Sequence, residues 1–461
     1  MIVDRGFINV ITLSVGFMLV FSAFQTMGTI EPSVLESIHK EDPSFTGKGY
    51  TSLAIIYAVF ASCNWLAPSF ISLTGPRITI LTGAFCYIFF IATFLWPSTN
   101  LLYTASALVG VGAALIWTGH GQYLTENSDA ETMTRNAGLF WAIFQLSLFG
   151  GNLCAFFAFT EEEIQEAKRR IVFQVLTSLA VIGGGVLLLM KSAPQNFVLG
   201  EAEGVSSADK ELRIPEKPKE KPLMSAWHAI RDAFVLFITP QILLLSLTFI
   251  YTGLELTFFS SVYSSSIGFT EGMGESRKRY IPLSGICIGI GEVVGGAIFG
   301  ILGTKRTKSL SGWPVVAAGF VMHLIVFLIT LLNLPNNAPF KDTNDVGFIN
   351  PSPALALVGS LILGFGDACF NTQIYSLLGV IYSKESAPAF ALFKFCQSVA
   401  AAVSFFYSTY IGLHLQLAIL FLTVILGTGA FCIVDLRNKR AKNTMQSVID
   451  TTQSEESCVS D

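Results

Sequence analysis

Charged side chains are scarce in this sequence. Asp, Glu, Lys and Arg together make up 13% of its 461 residues, against about 25% in an ordinary soluble domain. Apolar residues make up 52%, with 39 Phe among them, and the mean hydropathy is +0.60. The charges that remain are concentrated in short stretches between long apolar runs. These features exclude a typical soluble protein and indicate a chain that spans a lipid bilayer several times.

Several marks of other protein classes are also missing. No nucleophile–base pair, metal-spaced cluster or phosphate-binding loop occurs, so we expect no enzyme activity, no cofactor and no bound metal. No basic run is interleaved with aromatic residues, which argues against nucleic acid as a partner. All cysteines except Cys458 lie in apolar segments, where we expect them to be small packing residues and not a disulfide framework.

The apolar residues fall into about twelve runs of the length that a membrane-spanning helix needs, roughly 20 residues. The pattern therefore predicts an all-α membrane protein with twelve transmembrane helices. The first run is too long for a removable signal peptide and lacks a cleavage-site pattern. The predicted segments 1 to 12 are residues 7–29, 49–72, 77–95, 101–124, 136–159, 171–190, 237–267, 281–303, 313–334, 352–382, 386–410 and 412–434.

The second half of the chain repeats polar marks of the first half. Residues 21–25 in segment 1 match residues 251–255 in segment 7, both reading aromatic, hydroxyl, small, large apolar, polar. Asn64 in segment 2 matches Glu292 in segment 8 at nearly the same offset. The repeat predicts two pseudo-symmetric six-helix bundles, the architecture of the major facilitator superfamily, in which binding sites lie near the bilayer midplane between the halves.

The breaks between apolar runs predict the domain organisation. Residues 1–191 form the N-terminal six-helix bundle, 192–236 a flexible cytoplasmic linker, 237–434 the C-terminal six-helix bundle and 435–461 a disordered cytoplasmic tail. Placing both termini in the cytoplasm puts roughly two thirds of the 28 Lys and Arg residues on the inside, as the positive-inside rule favours. The basic clusters 168–170 and 277–279 on the outside weaken that bias. Neither the plasma membrane nor an endomembrane is favoured.

Polar side chains are unevenly distributed among the predicted segments. They concentrate in segments 1, 4, 7 and 10, which line the cavity in this fold, and in segments 2, 5, 8 and 11 at the interface of the halves. Buried polar groups in a membrane usually face a bundle interior or a cavity. His120 and His323 are weaker candidates of the same kind. The candidate substrate or proton site consists of Glu255, Asp367, Asn371, Gln25, Trp117, Gln122 and Gln145.

Lys394 in segment 11 and Glu292 in segment 8 form a candidate ion pair. Counting residues from the cytoplasmic helix ends places the two at similar depths, whereas Asp367 lies deeper. Two interpretations remain open at this point. Lys394 is either a charge switch for substrate- or proton-coupling acids at Glu255 and Asp367, or half of a buried pair that fixes helix packing. Segment 8 also carries glycines four residues apart, a spacing that predicts close helix contact.

The same polar residues lie in motifs that resemble the UNC-93-like branch of the major facilitator superfamily. The resemblance implies a twelve-helix facilitator fold. It does not settle activity, because the branch includes proteins regarded as potassium-channel regulators and as trafficking partners of innate immune receptors. The motifs occur in matching order over nearly the whole chain, at residues 21–26, 49–57, 251–259, 284–292, 366–373 and 386–398.

One loop departs from many carriers of the superfamily. Their loop after segment 2 carries an Asp and several basic residues that gate the cytoplasmic side, whereas Gly75-Pro76-Arg77 here lacks the Asp. Two functions therefore stay open. The first is a secondary transporter of a small, unidentified solute, with protons as a candidate coupling ion. The second is a non-transporting accessory protein that regulates the gating or trafficking of an ion channel or receptor.

Overall fold

The computed structural model describes residues 5–158, 166–193, 222–305, 312–408 and 410–459, and this part of the chain is almost entirely helical. An isolated bridge between Thr270 and Thr343 is its one β contact. The α-helices, in chain order, are α1 (Arg5–Glu41), α2 (Gly49–Cys63), α3 (Ala67–Thr93), α4 (Thr99–Glu126), α5 (Met133–Gln145), α6 (Ser147–Ala158), α7 (Glu166–Leu188), α8 (Pro222–Phe237), α9 (Pro240–Thr257), α10 (Tyr263–Phe269), α11 (Tyr280–Lys305), α12 (Trp313–Asn333), α13 (Pro353–Ile381), α14 (Ser386–Ser408) and α15 (Leu413–Val459).

Ten helical stretches of the described chain are long and apolar enough to cross a membrane. They coincide with ten of the twelve predicted segments, so a multi-pass helical protein is confirmed. The other two predicted segments are helical but broken. Segment 2 is divided between α2 and the start of α3, and segment 5 is divided between α5 and α6. In hydrocarbon the backbone must satisfy its own hydrogen bonds, which is why each apolar run forms a helix.

Helix α3 contains a sharp break at Gly75, where segments 2 and 3 meet. Gly75 has φ 78° and ψ 163°, and Pro76 follows it. That backbone region is open almost only to glycine, and proline supplies no amide proton for a continuous helix. The Gly-Pro pair therefore ends one helical segment and starts the next without a loop.

A π-helical turn, Phe258–Val262, interrupts the seventh segment between α9 and α10. Such turns insert one residue into an α-helix and occur frequently at functional sites. Glu255 lies immediately before this turn, within the last turn of α9. The insertion changes the direction of the side chains that follow it, so the two ends of the segment present different faces to their neighbours.

Two stretches that were predicted to be irregular contain helix in the structure. Residues 222–236 of the predicted linker lie in α8, whose sequence starts with Pro222 at a favoured first position and then contains no glycine. The predicted disordered tail continues α15 as far as Val459. No Pro or Gly follows Gly429, and extending an existing helix avoids the cost of nucleation. Residues 194–221 of the linker lie outside the described residues.

Helices from the two halves of the sequence meet along two main lines. Helices α5 and α6 pack against α11, and α2 and α4 pack against α14. Glycines allow the first of these contacts, because a Cβ atom at Gly296 would lie only 2.7 Å from the backbone nitrogen of Ala142. The close packing predicted for the glycines of segment 8 is therefore present. Helices α4, α5, α11, α13 and α14 together surround the polar side chains described below.

Polar contacts tie together helix ends that the predicted topology places on the same side of the membrane. Asn9 at the start of α1 donates to Asn127 after α4 at 2.7 Å. At the opposite end of α1, Glu41 pairs with Arg169 at 2.8 Å. Asp342 accepts hydrogen bonds from the basic cluster that contains Lys278. Acidic partners thus offset part of the positive charge that weakened the predicted orientation.

Candidate functional site

Three buried carboxyl groups come together in the second half of the chain. Glu255 lies on α9, Glu292 on α11 and Asp367 on α13, and their exposed fractions are 0%, 0% and 3%. The carboxyl group of Asp367 lies beside those of both glutamates. We call these three residues the acid cluster. Its members are far apart in the sequence and come from three different helices, so only the packing of those helices brings them together.

The members of the acid cluster differ in the donors around them. The indole N–H of Trp141 donates to Glu292 Oε2, and Gln145 lies within reach of the same carboxyl. The Asn371 amide donates to Asp367 Oδ1 at 2.7 Å. By contrast, neither oxygen of Glu255 accepts a hydrogen bond from any described residue. Glu255 is the least satisfied member of the cluster, because both of its oxygens lack a donor.

A histidine and a tyrosine flank Glu255. His323 Nε2 lies 3.8 Å from Glu255 Oε1 and 3.2 Å from the carbonyl oxygen of Leu363. The other ring nitrogen, Nδ1, is hydrogen-bonded to the hydroxyl of Tyr251. A carbonyl oxygen can only accept, so Nε2 of His323 carries a proton in this arrangement. The neutral ring then accepts from Tyr251 at Nδ1. The imidazole is thereby held with its N–H edge between Leu363 and the acid cluster.

This arrangement can hold and exchange protons. Two carboxyl groups in direct contact can hydrogen-bond only if one of them is protonated, because an ionised carboxyl group is an acceptor alone. Burying several negative charges together is costly, since water is excluded from around them. A proton shared between Asp367 and either glutamate removes both problems. The acid cluster therefore contains the chemical groups that holding a proton requires, on three helices of the interior.

A second polar centre surrounds Lys394 on α14. The Lys394 side chain is 5% exposed, and its Nζ lies 4.6 Å from the ring centroid of Trp117, 4.5 Å from that of Phe393 and 5.6 Å from that of Tyr375. Nζ donates to Oε1 of Gln397 at 2.7 Å. We call Lys394 and these three rings the cation–aromatic cluster. Attraction between the ammonium group and the ring faces offsets part of the cost of burying the charge.

The predicted ion pair between Lys394 and Glu292 is not formed in this structure. Lys394 turns towards Trp117 on α4 and Glu292 turns towards Trp141 on α5, and no ion pair joins the two described side chains. Asp367 is the carboxyl group near enough to interact electrostatically with the lysine. Depth along a helix was a poor guide here, because it leaves out the direction in which each side chain points.

His120 on α4 extends the cation–aromatic cluster. Its ring stacks on Phe140 at 3.8 Å between centroids and lies 4.9 Å from the ring of Tyr375. The side chain is fully buried, yet neither nitrogen has a hydrogen-bond partner among the described residues. The hydroxyl of Tyr375 is buried without a partner in the same way. Buried polar atoms without partners are rare and call for an explanation.

The structure brings together most of the candidate residues, in two groups. Glu255, Asp367, Asn371 and Gln145 belong to the acid cluster or its surroundings, and Trp117 belongs to the cation–aromatic cluster. Two candidates lie elsewhere. Gln25 accepts a hydrogen bond from Ser147 at 3.0 Å, and Gln122 donates to Glu126 one turn further along α4 at 2.7 Å. Neither glutamine contacts the acid cluster through a described hydrogen bond.

Sequence reasoning missed Trp141, Tyr251 and Gln397 as members of the site. A signal was present for Trp141, which precedes Gln145 by four residues and so lies on the same face of α5. Gln397 follows Lys394 by three residues and shares its face of α14 in the same way. Tyr251 precedes Glu255 by four residues on α9. Each missed residue thus lies one helical turn from a predicted site residue, and that spacing could have identified it.

Comparison with known proteins identifies the family of this chain and its fold. A family model described as "Ion channel regulatory protein UNC-93" matches residues 44–434. UNC93-like protein MFSD11 of Xenopus laevis is 43% identical over 436 residues, covering 94% of this chain and 96% of that protein. Protein unc-93 homolog A of Bos taurus is 25% identical, and 94% of each chain is covered.

Two solved structures of one transporter resemble this chain. The Escherichia coli fucose:proton symporter FucP superposes with a TM-score of 0.63 at 12% identity, covering 94% of this chain and 99% of that one. A structure of FucP in the outward conformation gives a TM-score of 0.59. At such identity the likeness shows the fold alone. The chain is therefore a multi-pass integral membrane protein with a major facilitator fold, and it belongs to the UNC-93 family.

Proposed function

We propose that the chain has twelve membrane-spanning helices in two six-helix bundles, 1–191 and 237–434, with both termini in the cytoplasm. Three observations support this proposal. Helices cover all twelve apolar runs, with segments 2 and 5 broken and not absent. Contacts at the helix ends join loops that the topology puts on one side. The fold is that of transporters with this architecture.

Within that architecture we propose that the protein is a secondary transporter of a small solute, coupled to protons. The acid cluster carries this proposal. Glu255 is buried without a hydrogen-bond donor and lies beside Asp367, so its ionised form is costly in this closed state and becomes less costly when water reaches it. A cluster of this kind costs stability and adds little to packing. Intramembrane acids that face the interior are typical of proton relays in transporters.

The site is closed in this structure. The three acids of the acid cluster and Lys394 are each at most 5% exposed, so neither solute nor bulk water reaches them directly. Transport then requires the halves to separate on one side at a time, by rocking about the fixed site between them. The contacts of α5 with α11 and of α4 with α14 are the ones that must loosen.

Proton-driven uptake in reconstituted vesicles tests the proposal. Purified protein is placed in liposomes that contain a pH-sensitive dye, and a panel of metabolites is added outside. We expect at least one solute to acidify the lumen with wild-type protein, and Glu255→Gln and Asp367→Asn to abolish that signal. Glu275→Gln is the matched control, because Glu275 is an exposed loop residue. Undiminished solute-driven acidification in both cluster variants would refute coupling at these acids.

The second candidate function is that of an accessory protein that regulates a channel or receptor. It is favoured by the description of the family as ion channel regulatory. The Gly75-Pro76-Arg77 loop favours it too, because the Arg77 guanidinium contacts Ser192 at 3.4 Å and pairs with no acid among the described residues. Capture from native membranes tests it. A membrane partner present in stoichiometric amount supports the accessory function, and its absence across several tissues counts against it. No feature of the family or fold points to an enzyme.

A further inference from the structure

The amino group of Lys394 has no carboxylate within ion-pair distance in the described structure, although the side chain is almost completely buried. Its single oxygen partner is the neutral amide of Gln397. Lysine has three N–H donors, so one is used and the others face aromatic rings. A buried charge normally has a charged or coordinating partner, because its desolvation costs several kcal/mol. An anion at this point would give the ammonium form of Lys394 the charged partner that it lacks here.

We infer that Lys394 binds the carboxylate group of an organic monocarboxylate, and that this class of compound is the solute of the transporter. The inference rests on the proposed transport function for its biological meaning, although binding itself can be measured without transport. The cation–aromatic cluster supplies the charge for the carboxylate. The surrounding rings supply an apolar surface for the remainder of the molecule.

The polar atoms near Lys394 suit the two oxygens of a carboxylate. His120 and Tyr375 are both buried. Neither ring nitrogen of His120 has a hydrogen-bond partner among the described residues, and the Tyr375 hydroxyl has none either. His120 is close enough to Lys394 to interact with it electrostatically, and it lies 4.9 Å from the Tyr375 ring. Two neutral donors beside an ammonium group could bind the second oxygen of an anion. A neutral solute would leave the ammonium group without compensation.

The surfaces around this centre are apolar and aromatic. Phe17 packs edge-on against Trp117 at 5.6 Å, and Phe144 does the same at 5.4 Å. Phe390 stacks on Tyr375 at 5.1 Å. Ring faces and edges of this kind accommodate aliphatic or aromatic carbon and not further charge. A dicarboxylate or a sugar would place polar groups against these rings without hydrogen-bond partners, which is costly.

The two halves of the chain both contribute to the site. Trp117 and His120 come from α4 in the first half, whereas Tyr375 and Lys394 come from α13 and α14 in the second half. A bound anion would therefore touch both halves and bias their relative position. Asp367, the member of the acid cluster that interacts electrostatically with Lys394, accepts a hydrogen bond from Asn371. When protons neutralise that cluster, the solute carboxylate becomes the only anion available to Lys394 among the described groups.

Thermal stability of the purified protein with matched pairs of compounds tests the inference. Hexanoate and phenylacetate carry a carboxylate, and hexanamide and phenylacetamide are neutral counterparts of similar shape. A ligand that binds the folded state raises the melting temperature by mass action. We expect only the carboxylates to stabilise wild-type protein. Lys394→Met should weaken that binding about 10- to 100-fold, the effect of losing one hydrogen bond to a charged group, and Lys394→Arg should retain most of it.

Controls separate this inference from the transport proposal. Lys341→Met removes an exposed loop lysine and should leave carboxylate binding unchanged. Quenching of Trp117 fluorescence by the carboxylates, absent in Trp117→Phe, reports the site directly even if Lys394→Met folds poorly. Carboxylate binding without proton flux in vesicles would leave the inference standing and refute proton coupling. Equal stabilisation by the amides, by chloride or by phosphate, or no stabilisation by either carboxylate, would overturn the inference.

Discussion

The hydrogen bond from Trp141 to Glu292 links the first half of the chain to the acid cluster. The indole is 6% exposed and the carboxyl group is fully buried, and Oε1 of Glu292 has no partner among the described residues. Trp141→Phe removes the N–H donor and part of the ring. A buried acceptor deprived of its donor costs about 1–3 kcal/mol. We expect the variant to lose at least that much free energy of unfolding, because the smaller ring also loses packing.

A double-mutant cycle isolates the hydrogen bond from the loss of packing. Glu292→Met keeps side-chain length and removes the acceptor. If the bond is responsible, Trp141→Phe should cost about 1–3 kcal/mol less in the Glu292→Met background than in wild type. Unfolding in mixed micelles can be followed with a thiol-reactive dye, since Cys86, Cys369 and Cys396 are buried. A coupling free energy below about 0.5 kcal/mol would refute this account, since independent sites add within that margin.

Three further changes test the fold. Gly75→Ala should lower the free energy of unfolding by about 1–3 kcal/mol, because the φ and ψ of Gly75 are open almost only to glycine. Gly296→Ala should cost about 1–3 kcal/mol through overpacking, because its Cβ would lie 2.7 Å from the nitrogen of Ala142. The hydrogen bond from Lys278 lowers the pKa of Asp342. The pair therefore stabilises the fold above pH about 4, the ordinary pKa of an aspartate, and this stabilisation is lost as the pH falls through the lowered pKa. Asp342→Asn should therefore reduce the melting temperature at pH 6 and have less effect near pH 3.

Each of these changes has its own control. Gly185→Ala adds a methyl group where nothing lies within 4 Å on an exposed helix face, so it should be neutral or slightly stabilising. If Gly185→Ala lost as much free energy of unfolding as Gly75→Ala and Gly296→Ala, the positive φ of Gly75 and the close contact at Gly296 would not explain those losses. For Asp342, a difference in melting temperature that stays constant from pH 6 to pH 3 would contradict the ion-pair explanation.

Local chemistry explains why so much of the fold could be predicted. Apolar length alone locates the membrane-spanning runs, since the bilayer core has a fixed thickness. The Gly75-Pro76 pair marks a helix break because both residues act through their own backbone. The polar residues of the interior were also recognisable. Burying a polar side chain in hydrocarbon costs free energy, so such residues are rare there unless they have a function or a partner. Glu255, Asp367 and Asn371 were selected on that basis; the structure places the two acids in the acid cluster and Asn371 beside them as a donor to Asp367.

The partners of those residues could not be predicted in the same way. Lys394 and Glu292 lie at similar depths, yet Lys394 packs against Trp117 and Glu292 accepts from Trp141, because the rotation of each helix about its axis directs the side chains. That rotation depends on contacts such as the glycine packing of α11, which involve residues distant in the sequence. The sequence by itself determined which residues lie in the membrane and which of them are polar. Only the tertiary structure decided which polar groups meet, because each meeting depends on the positions of several helices at once.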